Sequence, residues 1–361
     1  MSDAPDPVEE AVLADLRRRL HATRRVVLPR GVGWGRGTDA EYLSELIGYW
    51  AETYDWRKHE QRILALPWAR TSWNGFEARS LHQRAADGTA SAVVLLHGWP
   101  DSVLRFERVL PLLSDLHVVV PCLPGFPFAE PVTEAGMSTT KMAEVVAGVM
   151  AELGYDRYVV SGGDVGSSVA ESLAAAHPEH VSALHLTDVP YAHLFTVDPA
   201  ELSEDERAYL AAGQRWQLAE GAYALEQLTK PHTLAAALGD SPAGLAAWIV
   251  EKLRSWSDCG GDLESMFPRD DVLTWVTAYW VTGTIGTSFS AYVEPRDSVE
   301  SVLVPTAVTM FPGDLVPAPR AFAERFFNVR VWDEQPDGGH FGAWERPSAF
   351  AAGLRAAVAL Q

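Results

Sequence analysis

The chain has 361 residues, of which 47% are hydrophobic and 21% charged, a globular composition with enough apolar side chains for a large core. At about 150 residues per domain, that length allows two to three domains or one large core carrying an inserted lid. A formal net charge of -19, spread along the chain, repels phosphate backbones and anionic membrane surfaces and argues against nucleic acid as a partner.

In chain order, the opening MSDAPDPVEE has neither the basic nor the apolar region of a secretory signal. Val8, Val12, Leu16 and Leu20 recur every four positions and predict an amphipathic helix; a second is predicted over 40–54. The runs 69–73 and 76–81, separated by Asn74-Gly75, predict a β-hairpin. From 92 the pattern alternates. Apolar runs at 92–96, 116–120, 157–161 and 181–186 predict buried strands, and Met142, Val145, Val149 and Leu153 mark a helix closed by Gly154. This predicts an α/β fold: a mostly parallel sheet with helices on both faces. Residues 189–299 interrupt the alternation with helices and turns rich in Trp and Tyr, and predict a mainly helical inserted lid over the C-terminal edge of the sheet. Strands at 306–310 and 329–332, a helix near 318–326 and a last helix carrying Phe350, Leu354 and Val358 resume it. No stretch approaches the roughly 18 apolar residues of a membrane helix. The two cysteines, Cys122 and Cys259, are expected as free thiols in a reducing compartment, and the chain as cytoplasmic.

Three loops carry the chemistry. In Gly162-Gly-Asp-Val-Gly166 a strand meets a helix through a turn that needs small residues, the context of a nucleophile elbow with Asp164 where esterases carry Ser. His97-Gly-Trp-Pro100 follows the strand ending at Leu96, where α/β-hydrolases place one backbone N–H of the oxyanion hole. The two donors are assigned to Trp99 and Val165, and the His97 side chain is expected to shape its loop. Gly338-Gly-His-Phe341 follows the last strand and offers His340 as general base. Asp314, after the strand at 306–310, is the expected acid; Asp188 is the runner-up, and Asp333, Glu334 and Asp337 are expected in solvated loops. A carboxylate nucleophile implies displacement at a saturated carbon, because attack gives an ester that water can cleave at its carbonyl. Epoxide opening, unlike halide loss, also needs an acid on the leaving oxygen.

These residues resemble epoxide hydrolases of the microsomal type, which wrap an N-terminal segment around an α/β-hydrolase core. The likeness extends over most of the chain, at Leu16-Arg-Arg-Arg-Leu20, Tyr54-Asp-Trp-Arg-Lys-His-Glu60, His97-Gly-Trp-Pro100, Gly162-Gly-Asp-Val-Gly166, 240–248 and 279–285. It implies a division into an N-terminal segment 1–90, core 91–188, lid 189–299 and core 300–361. It also implies two lid tyrosines that hold and protonate the epoxide oxygen, which match Tyr223 and Tyr292; Tyr191 and Tyr279 are the alternatives. The product would be a vicinal diol, the partners an apolar, bulky epoxide and water, with no metal or organic cofactor. Oligomeric state stays open, a homodimer included. The absence of an apolar N-terminal helix implies a form without the membrane anchor of some relatives. Two positions depart from the pattern: Asp101, where Gly is common, puts a carboxylate near the oxyanion hole, and Pro127 replaces a second Gly.

The rival readings are a haloalkane dehalogenase, which would place Trp after the nucleophile where Val165 stands, and a non-catalytic binding protein on the same fold. A serine esterase is disfavoured because Ser161, Ser167 and Ser168 miss the elbow. Of the 13 tryptophans, Trp99 falls beside the oxyanion loop and Trp216, Trp248, Trp256, Trp275 and Trp280 in the lid, where several are expected to line an apolar pocket.

Overall fold

A computed structural model describes residues 3–29 and 31–361. Three helices open the chain: α1 (Glu10–His21), α2 (Ala40–Glu52) and α3 (Trp56–Leu64). The inward face of α1 is Leu13, Leu16 and Leu20; Val12 is half-buried and Val8 precedes the helix, so the four-residue spacing read in the sequence misses Leu13. Asp39 caps α2 by accepting from the N–H groups of Glu41 and Tyr42, each at 2.9 Å. The amphipathic α3, unread in the sequence, buries Trp56, His59, Glu60 and Ile63 on one side. Its polar inward residues hide it from a hydrophobic-spacing argument.

The hairpin β1 (Trp68–Trp73) and β2 (Phe76–Gln83) turns through Asn74 and Gly75, both at positive φ (49° and 79°), as the Asn-Gly pair predicts. Next come β3 (Ala92–Leu96), β4 (His117–Pro121), α4 (Thr139–Glu152), β5 (Tyr158–Gly162), α5 (Val165–Ala176) and β6 (Val181–Leu186). The insertion after β6 holds α6 (Glu204–Ala219), α7 (Ala222–Thr229), α8 (Pro231–Asp240), α9 (Pro242–Trp256), α10 (Leu263–Met266), α11 (Arg269–Thr282) and α12 (Ser290–Val293). The core then resumes with β7 (Val302–Met310), α13 (Arg320–Ala323), β8 (Phe327–Glu334), α14 (Gly342–Glu345) and α15 (Pro347–Val358).

The eight strands form one sheet in the order β1-β2-β4-β3-β5-β6-β7-β8. The hairpin pairs antiparallel with itself and with β4, and every other pairing is parallel. Residues 68–83 therefore extend the core sheet. Every residue of β3, β4, β5 and β6 is buried, which requires cover on both faces and explains their largely apolar sequences. The rest of the N-terminal segment clasps the lid: Arg19 donates to the Asp240 carbonyl (2.8 Å), Thr38 to that of Ala247 (2.6 Å) and Tyr49 to the Asp270 carboxylate (2.8 Å). Both cysteines are buried and free. Among the described residues no single helix is long and apolar enough to cross a membrane.

Two glycines test this packing in opposite directions. A Cβ on Gly148 of α4 would overlap the Trp73 ring, whereas one on the exposed Gly48, mid-α2, meets nothing within 4 Å. Gly148→Val should cost about 1–3 kcal/mol by overpacking. Gly48→Ala should add about 0.5–1 kcal/mol by lowering the backbone entropy lost on folding. Equilibrium denaturant unfolding measures both.

Candidate active site

The loops that leave the C-terminal ends of β3, β5, β6, β7 and β8 converge at one point, where ligands of open α/β sheets bind. At the centre is Asp164, at φ 57° and ψ -127°, a conformation that non-glycine residues rarely adopt. Its neighbours have to be small: a Cβ on Gly162 would overlap the Gly166 carbonyl, and one on Gly166 that of Leu96. A Cβ on Gly98 would strike the Asp164 carboxylate itself. The Asp164 N–H is fixed by the Asp188 carboxylate at 2.6 Å.

That geometry aims one oxygen of Asp164 at a ring of donors. Its Oδ1 accepts from the Trp99 N–H at 2.6 Å, and the Val165 N–H also hydrogen-bonds the carboxylate. The other oxygen, Oδ2, lies 3.5 Å from Nε2 of His340, a charged contact that is open to tightening. Across the ring, Nδ1 of His340 meets the Asp314 carboxylate at 2.7 Å. Burial penalises a charged imidazole, but the adjacent Asp314 and Asp164 carboxylates outweigh it and raise His340 to about 10. For Asp164, burial favours the neutral acid, yet His340 and the Trp99 and Val165 N–H groups hold its carboxyl below the ordinary range. For Asp188 the balance goes the other way: burial and the nearby Asp314 charge outweigh Ser167, His340 and the Asp164 N–H and push it up to about 7. Asp188, Asp314 and His340 bring three candidate metal-ligand atoms within 4.8 Å of one another, but the His340 nitrogen is already engaged by Asp314.

The lid closes the site with aromatic rings. Tyr223 stacks on Trp99 (centroids 5.3 Å apart, planes at 13°), and Tyr292 meets the Trp99 ring edge-on at 6.1 Å. The Tyr223 and Tyr292 hydroxyls are hydrogen-bonded to each other. Burial first, and the Asp164 charge in addition, hold both phenols well above their usual range, so both remain donors. Trp256 completes the wall, 5.0 Å from Tyr223 and 5.3 Å from His340. Of the other lid tryptophans, Trp216 reaches the Tyr223 ring edge at 6.4 Å. Trp248 bonds Gln227, Trp275 packs against Phe267, Phe341 and Trp344, and Trp280 underlies Arg19. Of the five lid tryptophans only Trp216 and Trp256 thus reach the tyrosine at the site, and the other three bind or pack against side chains elsewhere.

Asp164, His340, Asp314, Tyr223, Tyr292 and the N–H groups of Trp99 and Val165 therefore share one cluster. Asp188 lies beside it but is spent on the Asp164 backbone. Tyr191 bonds the Gly213 carbonyl (2.8 Å) and Tyr279 that of Asp101 (3.0 Å). Asp333, Glu334 and Asp337 are exposed. The His97 ring accepts from the Leu123 N–H at 3.1 Å and holds the turn, while Pro127 is buried with its loop. Sequence reasoning missed Glu345, whose buried carboxylate accepts from the N–H groups of Gly339 (3.0 Å), Phe341 (2.9 Å) and Asp258 (2.8 Å) and so fixes the His340 loop. It also missed Arg105, which donates to the His340 carbonyl at 2.5 Å. Both partnerships join residues whose spacing carries no motif.

Fold and site together define an α/β-hydrolase. The α/β hydrolase fold family matches residues 91–257, and the family described as epoxide hydrolase N terminus matches 6–106. A Stigmatella aurantiaca protein assigned to the epoxide hydrolases is 36% identical over 96% of this chain and 82% of its own. Epoxide hydrolase 1 of Sus scrofa is 29% identical over 94% and 85%. Among solved structures, juvenile hormone epoxide hydrolase of Bombyx mori superposes with a TM-score of 0.89 at 27% identity, over 98% of this chain and 93% of that one. Aspergillus niger epoxide hydrolase gives 0.86 at 28%, over 98% and 94%. The chain belongs to the epoxide hydrolase family, enzymes that add water to an epoxide.

The charge arrangement predicts a pH signature. His340 binds its proton more tightly in the folded chain than its ordinary 6.5, so this stabilisation is complete below pH 6.5 and drains as pH rises towards 10. Between these limits the melting temperature of the wild type should fall more steeply than that of His340→Gln; parallel curves would contradict the assignment.

Proposed function

We propose that the chain hydrolyses an apolar, bulky epoxide through a covalent ester on Asp164. The observation that carries the reading is the division of labour on one carboxylate: Oδ1 lies at the Trp99 N–H while Oδ2 faces His340. Oδ2 attacks an epoxide carbon as the C–O bond opens, and the leaving oxygen takes a proton from the Tyr223–Tyr292 pair. Positioned proton donors of this kind are worth about 10²–10⁴ in rate. The wall of Trp99, Trp256 and Phe289 supports an apolar substrate.

Ester formation removes the negative charge of Asp164. One of the two carboxylates that hold the proton on His340 is then gone, so the imidazole, with Asp314 at Nδ1, passes its proton back to the tyrosinate left by ring opening and becomes the base. Water activated by His340 adds to the Asp164 carbonyl carbon, and the charge that develops on Oδ1 falls on the Trp99 and Val165 N–H groups. Collapse breaks the bond between that carbon and Oδ2; Oδ2 leaves with the proton that His340 took from the water, and the acid left on Asp164 gives its own proton to His340, which restores the starting ion pair. The diol departs carrying Oδ2, and the water oxygen stays on Asp164. A cytoplasmic enzyme without metal or organic cofactor, in detoxification or secondary metabolism, fits this chemistry.

Atom balance supplies the test. In a single turnover in ¹⁸O water, with enzyme in excess, the label should enter Asp164 and be absent from the diol; label in the diol would sink the ester route. Asp164→Ala should abolish turnover, and His340→Gln should trap a protein heavier by one substrate mass. Tyr223→Phe and Tyr292→Phe should each slow ester formation by about 10²-fold or less, and the double variant by more, in rapid-quench assays with a styrene-type epoxide.

A further inference from the structure

Asp101 and Arg105 form a buried ion pair at the base of the site that the mechanism above leaves unused. Ser102 caps the 3₁₀ turn Val103–Phe106, which brings the two side chains onto one side. Nη1 of Arg105 donates to Oδ2 of Asp101 at 2.7 Å, and both side chains are 2% exposed or less. Oδ1 of Asp101 turns back to accept the Gly98 N–H at 2.8 Å, one residue before Trp99. The other arm of the guanidinium, Nη2, donates to the His340 carbonyl at 2.5 Å. The same nitrogen lies 3.4 Å from where a Cβ on Gly163 would stand, directly beneath the elbow. Tyr279, from lid helix α11, donates to the Asp101 carbonyl at 3.0 Å and closes the network from above.

One planar fork therefore joins two loops, the oxyanion turn through Asp101 and the His340 turn through its carbonyl, and lies beneath the elbow. None of these contacts reaches the position of a substrate. Each fixes a backbone group whose neighbour does. An N–H donor such as Trp99 is effective only if it is aimed before charge appears, and small displacements of such groups cost much in rate. Guanidinium suits this task because its donors are held in a rigid fork and it keeps its charge when buried.

We infer that Asp101 and Arg105 are positioning residues for the second half-reaction, aligning the Trp99 N–H and the His340 imidazole for hydrolysis of the ester. The inference rests on the ester reading given above. Ester formation uses Asp164 and the two tyrosines and depends on the pair only weakly. Ester hydrolysis uses both groups that the pair aligns. Loss of the pair thus slows the second step selectively, and the ester accumulates.

The test follows both steps by rapid quench and intact mass with a styrene-type epoxide. Asp101→Asn/Arg105→Met removes both charges together and avoids a lone buried ion. Arg105→Lys keeps the charge but loses the fork, and serves if the double variant does not fold. In either variant hydrolysis should fall about 10- to 100-fold, less than the roughly 10²–10³-fold cost of losing an oxyanion donor outright, because the donor is misaligned and not removed. Ester formation should change by less than about threefold, so kcat and KM fall together and kcat/KM is nearly kept. Equal losses in both steps, or wild-type hydrolysis in Arg105→Lys, would overturn the inference. The ester reading has its own control in His340→Gln: no trapped adduct there defeats that reading, whereas an adduct there without accumulation in the pair variants defeats only this one.

Discussion

Everything at this site depends on one backbone conformation. Asp164 is held at positive φ between a strand and a helix, in a region that costs of order 1–3 kcal/mol for a residue with a side chain. The surroundings leave it no alternative. Gly162, Gly163 and Gly166 let the turn close against β3 and Thr187, and the Asp188 carboxylate grips the Asp164 N–H. The result is a carboxylate projecting from the C-terminal edge of the sheet, with one oxygen against the backbone donor of Trp99 and the other towards His340. A relaxed turn would lose both relations at once.

Charge is the second constraint, and it is settled in the same small volume. Four buried or largely buried carboxylates, Asp101, Asp164, Asp188 and Asp314, surround two cations, Arg105 and the imidazolium of His340. Isolated, any of these charges would be expelled or neutralised. Asp101 is drawn up to about 6 by burial but restrained by Arg105, while Asp188, further from a cation, rises to about 7. The arrangement makes the proton on His340 conditional on the charge of Asp164. In the proposed mechanism that condition is the switch between steps, since alkylation removes the charge and frees the base.

Much of the architecture was legible in one dimension. The strands at 92–96 and 181–186 coincide with those observed because a strand buried on both faces is predominantly apolar, although 181–186 also buries Ser182 and His185. Asn74-Gly75 announced its turn because only such residues accept positive φ twice in succession. The helix α3 was not legible, since its inward side includes His59 and Glu60, and neither was the short reach of α13, which stops at Ala323. The site divides in the same way. Asp164, His340, Trp99 and Val165 stand in compact motifs, with Gly, Pro and strand-to-helix context reporting backbone strain that only a special turn requires. Asp314 was read from its place after a strand, with Asp188 left as an alternative, and the two tyrosines needed family resemblance, because a Tyr in a helix bears no local mark.

The sequence by itself determined which loop carries the strained carboxylate, which loop faces it and that the order of the elements is that of an α/β-hydrolase with a lid. These are local properties, written in neighbouring residues. Only the tertiary structure decided that Asp188 serves the backbone of Asp164, that Glu345 binds the His340 turn and that Arg105 links that turn to Asp101 across 235 residues of chain. It also turned Asp101 from an anomaly in a motif into half of a buried ion pair. Such partnerships form where loops from five strand ends meet. A buried hydrogen bond depends on distance and desolvation in space, and neither is encoded in the spacing of residues along the chain.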